Sequence, residues 1–217
     1  MRTPVSGLLS SWAMPEASRP TEASFSPRTV SAWARRSSWV RFSTFSSRRC
    51  PHSRSSAREF RNALSQFATG ITVITVEREP GSVFGMTANA FTSVSLNPRL
   101  ILVCVDERAK ILPMLHKKKS FGISVLKHDQ QAVSEYFAQA EQHPEAEHRL
   151  GLRYRWTPED VPVLEDTVMQ LSCSVIATHV AGDHTLIVGK VEDAEIQGGE
   201  PLLFFRGEYR QMAGPQR

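Results

Sequence analysis

The sequence predicts a mainly β protein, an antiparallel barrel that carries a few short helices. Three observations support this. Six or more short apolar runs recur at hairpin spacing, turn signals such as Glu79-Pro80-Gly81-Ser82 and Ala181-Gly182-Asp183 separate them, and helical periodicity is confined to a few short segments. At 217 residues with 41% hydrophobic composition, the chain is long enough for one ordinary domain and a tail.

Residues 1–57 read as a disordered Ser/Arg-rich extension without helical or strand periodicity. They hold nine arginines against Glu16 and Glu22, a net of +7. The remaining 17 basic and 20 acidic residues leave the rest at −3, so the overall charge of +4 belongs to the tail. Such a segment also resembles an organelle transit peptide or the product of a misassigned start. Trp12, Trp33 and Trp39 are scattered among its arginines without forming a face, so no nucleic-acid partner is expected.

Order is expected from Arg58 to residue 212, with 213–217 as a C-terminal tail. Phe60, Leu64 and Phe67 fall at i, i+4 and i+7, one stripe of a short helix that Gly70 would cap. Ile71–Val76 follows as a β-branched strand, and the Pro80-Gly81 turn leads into Gly85–Pro98. Leu100–Val105 is a continuous apolar run suited to a buried strand. Asp106-Glu107 would open a helix through Leu115, and His116–Lys119 reads as a surface charge run. Phe121–Leu126 is a further strand, and Asp129 is expected to cap a helix presenting Val133, Tyr136 and Phe137. Residues 139–160, with mixed charge and no apolar period, read as a mobile excursion. Val168–Val180 and His184–Val191 form a hairpin about Gly182-Asp183, and Pro201–Phe205 is the last strand before Arg206–Tyr209 closes the domain.

The chemistry concentrates in Gly85–Pro98. Thr87, Asn89, Thr92, Ser93 and Ser95 place small polar groups among apolar residues, ahead of a proline that cannot continue a central strand. Hydroxyls and free backbone N–H groups in a turn suit an anion or the polar rim of a flavin-like ring. The same residue types also compose an ordinary turn. Arg108 and Lys110, at the end of a buried strand, suit a phosphate clamp, with a solvated pair as the plainer reading. His184, beside an Asp-containing turn, can meet a ligand amide or flat ring, or be an Asp-capped surface histidine.

Cys50, Cys104 and Cys173 are far apart and odd in number, which argues for a reducing compartment and against a disulfide framework or structural zinc. Cys104 and Cys173 read as small buried hydrophobes. No metal site is expected, since His143 and His148 do not share a helical face. No apolar run reaches membrane-spanning length. No dinucleotide fingerprint, phosphate-binding P-loop, serine elbow or His-Glu-x-x-His occurs.

Five segments taken in order, Phe60–Thr75, Gly85–Pro98, Glu107–Lys110, Ala181–Val191 and Pro201–Tyr209, resemble the flavin reductase family, particularly the reductase components of 4-hydroxyphenylacetate 3-monooxygenases. The resemblance spans about residues 58–212. It implies an FMN-binding, Greek-key split barrel acting as a cytoplasmic homodimer. It also implies reduction of FMN or FAD by NADH or NADPH, and supply of reduced flavin to an oxygenase. By position, Thr87, Ala88, Asn89, Ala90, Phe91, Ser93, Val94 and Ser95 would line the ring and ribityl chain. Arg108, Ala109 and Lys110 would hold the phosphate, and His184 would contact the nicotinamide nucleotide. Hydride transfer between cofactors needs no general acid or nucleophile, in keeping with the absence of a triad. Pro98-Arg99 stands where the family commonly has two prolines. Two alternatives remain open: a flavoprotein that retains its flavin and reduces another substrate, and a flavin-binding module without catalysis.

Overall fold

The computed structural model describes residues 56–212. The expectations for the N-terminal extension before Ser56, Cys50 among them, and for residues 213–217 lie outside these residues. The first element, α1 (Ala57–Leu64), opens on a capping box. The Glu59 N–H donates to Ser56 Oγ at 3.2 Å and the Ser56 N–H donates to Glu59 Oε2 at 2.6 Å. This Ser-x-x-Glu pattern moves the start to just before the expected Arg58. The helix ends with Ser65 as its C-cap rather than at Gly70, because Thr69–Gly70 is drawn off as strand β1 to pair with β11 (Leu203–Phe205).

Seven strands make the main sheet: β2 (Thr72–Glu79), β3 (Ser82–Ala88), β4 (Phe91–Leu96), β5 (Arg99–Asp106), β6 (Ser120–Val125), β9 (Met169–Ala181) and β10 (His184–Ile196), in the order β3-β2-β6-β9-β10-β5-β4. Every pairing is antiparallel. Strands β5, β6, β9 and β10 form a Greek key, with β5 lying beside β10 rather than beside β6.

The outermost strands, β3 and β4, are joined only by Asn89 and Ala90. Three Cα steps span at most about 11 Å, whereas the two edges of a flat seven-stranded sheet would lie about 29 Å apart. The sheet therefore rolls until its edges meet at that link. The edges are not paired with each other among the described residues, so the roll stays open along one seam.

Ile74, Val103, Val105, Phe121, Ile123 and Ile187 are almost wholly buried and fill the inside of the roll, while Ile111 and Leu115 of α2 (Ile111–Lys118) close one end. A second cluster, around Val73, Leu126, Phe137 and Leu202, lies under α3 (Gln131–Phe137), with Tyr209 of β12 (Glu208–Arg210) packed against it. As expected, α3 turns Val133, Tyr136 and Phe137 inward. Its N-cap is Gln130, however, and Asp129 does not cap it. The edge of β3 is covered by Gln142, whose amide accepts from the Gly85 N–H at 3.1 Å and donates to the Gly85 carbonyl at 2.6 Å. This side chain stands in for a further strand.

Two further expectations are corrected. Helix α2 starts at Ile111 rather than Asp106, because the Asp106 carboxylate, at the end of β5, is engaged by Arg108 and residues 107–110 form a turn. Residues 139–160, expected to be a mobile excursion without regular elements, contain secondary structure. They contain α4 (Pro144–Arg149) and β7 (Tyr154–Trp156), which pairs with β8 (Pro162–Leu164). Tyr136 donates to Glu147 Oε1 at 3.0 Å and ties α4 to α3. His143 and Glu145–Arg149 carry little apolar surface, so the periodicity that marks a buried helix is missing here.

The β7–β8 hairpin crosses the sheet so closely that Thr75 Oγ1 donates to the Pro162 carbonyl at 2.5 Å. Gly122 makes the approach possible. A Cβ there would collide with the Pro162 carbonyl oxygen, lie 2.5 Å from Thr75 Oγ1 and 2.8 Å from Val163 Cγ1. Gly122→Ala is therefore expected to destabilise the domain by about 1–3 kcal/mol, as overpacking does, read as a lower urea midpoint. An unchanged midpoint would show that the hairpin yields freely.

Candidate functional site

A cavity of about 820 Å³ opens where the seam of the sheet meets α1. Asn89, Ala90, Phe91 and Thr92 bring the β3–β4 link into its lining, Leu102 and Cys104 come from β5, and His184 from β10. On the other side stand Arg61 and Leu64 of α1, with Ser65, Phe67, Thr69 and Phe204. Alternation along β5 explains part of this arrangement. Ile101, Val103 and Val105 point into the core, so Leu102 and Cys104 face out. Phe91 bridges both environments, since it packs against the inner core as well.

Cross-strand register sets His184 opposite Asp106. His184 Nδ1 lies 2.8 Å from Asp183 Oδ1. A carboxylate accepts only, so Nδ1 carries the proton and Nε2 is the nitrogen left to meet a ligand. That hydrogen bond holds the Asp183 carboxyl below its usual range. Thr185 donates to Glu107, and the Glu107 N–H donates to the Asp183 carbonyl at 3.0 Å, which locks the end of the β9–β10 hairpin onto the turn after β5.

The structure divides the residues expected from sequence into two sets. Asn89, Ala90, Phe91 and His184 line the cavity. Thr87 and Ala88 face away, for the Thr87 hydroxyl donates to the Ser134 carbonyl at 2.6 Å and Ala88 is buried, its carbonyl accepting from Thr72 at 2.7 Å. Ser93, Val94 and Ser95 lie further along the edge strand, where Val94 forms a bulge and is exposed. Ala109 packs against the core, and Lys110 is exposed at the foot of α2. Arg108 is 88% exposed and closes on Asp106, with Nη2–Oδ2 at 2.8 Å and Nε–Oδ1 at 3.0 Å. The guanidinium holds the Asp106 carboxyl well below the usual carboxylate range.

Sequence reading did not select Arg61, Leu64, Thr69, Leu102, Cys104 or Phe204 for the site; in sequence, Leu64 and Phe67 read only as part of a helical stripe with Phe60. That stripe is exposed rather than packed, at 57%, 59% and 77%. Burial raises the Cys104 thiol above its ordinary value and pushes Cys173 up to about 12. Cys104 is only half-buried at the cavity and Cys173 is buried, so only the latter is the fully enclosed hydrophobe expected.

The lining suits a flat aromatic ligand with a polar edge: apolar side chains predominate, and polar groups are few. Thr69 adds a specific sign of fit, because its Oγ1 is buried without a hydrogen-bond partner among the described residues. A rolled antiparallel sheet with an apolar cavity at its seam suits a protein that binds a flat cofactor such as a flavin. The sequence comparisons agree. The chain belongs to the flavin reductase like domain family, whose model matches residues 64–213. An NADH-dependent flavin reductase of a Rhodococcus species is 44% identical over 154 residues, 70% of this chain and 84% of that protein. The reductase component of 4-hydroxyphenylacetate 3-monooxygenase from Thermus thermophilus is 36% identical over 162 residues, 72% of this chain and 97% of that one. Among solved structures, the flavin reductase PheA2 in its native state superposes with a TM-score of 0.67 at 42% identity, covering 74% of this chain and 100% of that chain.

The position of Cys104 provides a probe of the cavity. Alkylation at mildly alkaline pH, mapped by peptide mass spectrometry, is expected to modify Cys104 slowly and leave Cys173 untouched until the protein unfolds. Saturating FMN should slow modification of Cys104 several-fold. Equal labelling with and without FMN would remove the flavin from this cavity.

Proposed function

We propose that the protein oxidises NADH or NADPH, reduces FMN or FAD at the β3–β4 seam, and releases the reduced flavin to a partner oxygenase. The observation that carries this reading is the apolar cavity that the Asn89–Phe91 link and His184 line together. When bound, the flavin supplies the chemistry by accepting a hydride at N5 from the nicotinamide. The protein's part is to stack, orient and exclude water. Phe91, Leu102 and Phe204 offer apolar surface to a ring, while the polar atoms of Asn89 can meet its rim. His184, with Nδ1 fixed by Asp183, presents Nε2 to the nicotinamide nucleotide.

Thr87, Ala88, Ser93, Val94 and Ser95 act in this reading by shaping the link from either side. Arg108, Ala109 and Lys110 frame the turn beside His184. Phe60, Phe67, Leu96, Val180 and Ile196 are exposed apolar surface that association of two copies would cover. Among the described residues no helix is long and apolar enough to cross a membrane, and the unpaired thiols of Cys104 and Cys173 suit the cytoplasm.

The assay mixes purified protein with each nicotinamide nucleotide and each flavin under air, and follows the nicotinamide absorbance. Flavin-dependent oxidation is expected, with NADH preferred because the Rhodococcus relative carries that name. No oxidation with any pair would overturn the proposal. His184→Ala should raise KM for the nicotinamide nucleotide several-fold while leaving KM for flavin nearly unchanged. Equal effects on both would take His184 off the nucleotide.

A further inference from the structure

We infer that Arg61 of α1, rather than Arg108, receives the phosphate of the nucleotide in the cavity. The inference rests on the function proposed above and concerns which cation serves that ligand. FMN, FAD and the nicotinamide dinucleotides all carry phosphate, so a site for them needs a positive group within reach of the ring-binding surface.

Arg61 is the one Arg or Lys in the cavity lining; neither Arg108 nor Lys110 belongs to it. Arg61 forms no ion pair among the described residues. Arg108, by contrast, is already engaged by Asp106 through two side-chain hydrogen bonds. Glu107 follows Asp106 directly, and Asp183 is close enough to raise the affinity of Arg108 for its proton. A phosphate approaching Arg108 would have to displace one carboxylate beside others. At Arg61 it would meet an uncompensated guanidinium.

The hydroxyls lining the cavity point the same way. Ser65 Oγ donates to the Asn62 carbonyl at 2.8 Å, and Thr92 Oγ1 donates to the Ser93 carbonyl at 3.3 Å. Thr69 Oγ1 alone among these three is buried without a partner, and it belongs to the same 57–70 segment as Arg61. A guanidinium and an uncommitted hydroxyl from one segment make a donor set for phosphate oxygens. Leu64 and Phe67, from the same segment, supply apolar surface for the rest of the ligand. The plainer role for Arg61, a cation in the last turn of a helix complementing its dipole, requires no ligand and is separated from this one by experiment.

The test titrates the full-length chain and its Arg61→Gln, Arg61→Lys and Arg108→Gln variants with FMN, riboflavin and NADH, following flavin fluorescence and calorimetric heat. Arg61→Gln is expected to weaken a phosphate-bearing ligand about tenfold, the size of one lost charge-assisted hydrogen bond, and to leave riboflavin unaffected. Arg61→Lys should restore part of the loss, and Arg108→Gln should have the smaller effect. A loss with FMN assigns the flavin phosphate to Arg61, and a loss with NADH alone assigns the nicotinamide nucleotide's pyrophosphate. Equal weakening of riboflavin and FMN, no change with either phosphate ligand, or a larger effect from Arg108→Gln would overturn the inference. In those cases the unsubstituted protein still binds flavin and the function stands. Failure of the unsubstituted protein to bind any of the three would overturn both.

Discussion

The two-residue link between β3 and β4 is the constraint on which the rest of this structure depends. It joins the outermost strands of a seven-stranded sheet, so the sheet has to roll. Rolling gives the sheet an inside, which needs large apolar side chains, and Phe121, Ile123, Ile74 and Ile187 fill it. Close packing inside the roll also demands small residues at particular places. A Cβ on Gly189 would lie 2.7 Å from Phe121 Cζ, so the burial of Phe121, worth roughly 1.5–3 kcal/mol, depends on that glycine. Rolling also leaves a seam. The link cannot pair along its length with two strands at once: the Ala90 carbonyl accepts from the Cys104 N–H at 3.1 Å, while Asn89 stays exposed with its polar side chain beside the apolar outer face of β5.

Much of the roll was legible in the chain. The β-branched run of β2, the Pro80-Gly81 and Gly182-Asp183 turns and the uninterrupted apolar run of β5 each state a local preference that the tertiary structure keeps. Helix boundaries were less legible, because they turn on which partner a polar side chain finds. Asp106 looks like a helix opener, yet it is bound by Arg108 two residues on; Asp129 looks like a cap, yet Gln130 occupies that position. The hairpin of β7 and β8 is too short and too mixed in polarity to announce itself, and it exists because Gly122 and Thr75 give it somewhere to sit.

The site was half legible for a related reason. Sequence indicates which residues own hydroxyls and charges but not which of those groups are already committed. Thr87 belongs to the right segment, and its hydroxyl is used by Ser134. Arg108 has the right charge, and it is engaged by Asp106. Thr69 and Phe204 come together only because β1 pairs with β11 across most of the domain, a juxtaposition without any local signal. Arg61 reads as an ordinary helical arginine until the cavity is seen beside it.

The wall that α1 contributes differs in kind from the wall made by the sheet. Its capping box is internal to the helix, and none of its residues is buried. The segment is tied down chiefly beyond its C-terminus, where Arg206 donates its N–H to the Ser65 carbonyl at 2.9 Å and its Nε to Gln66 Oε1 at 2.7 Å, and where β1 joins β11. Elements with few buried apolar contacts open at lower free energy than the core around them. A ligand that must be gripped during hydride transfer and then let go is well served by this asymmetry. In the proposed reading, the sheet holds the link, His184 and the apolar floor at fixed spacing, and the lightly seated helix is the side that can yield as a ligand enters and leaves. Part of the binding free energy would then go into ordering that side, which would keep affinity moderate without loosening the geometry at the reacting ring.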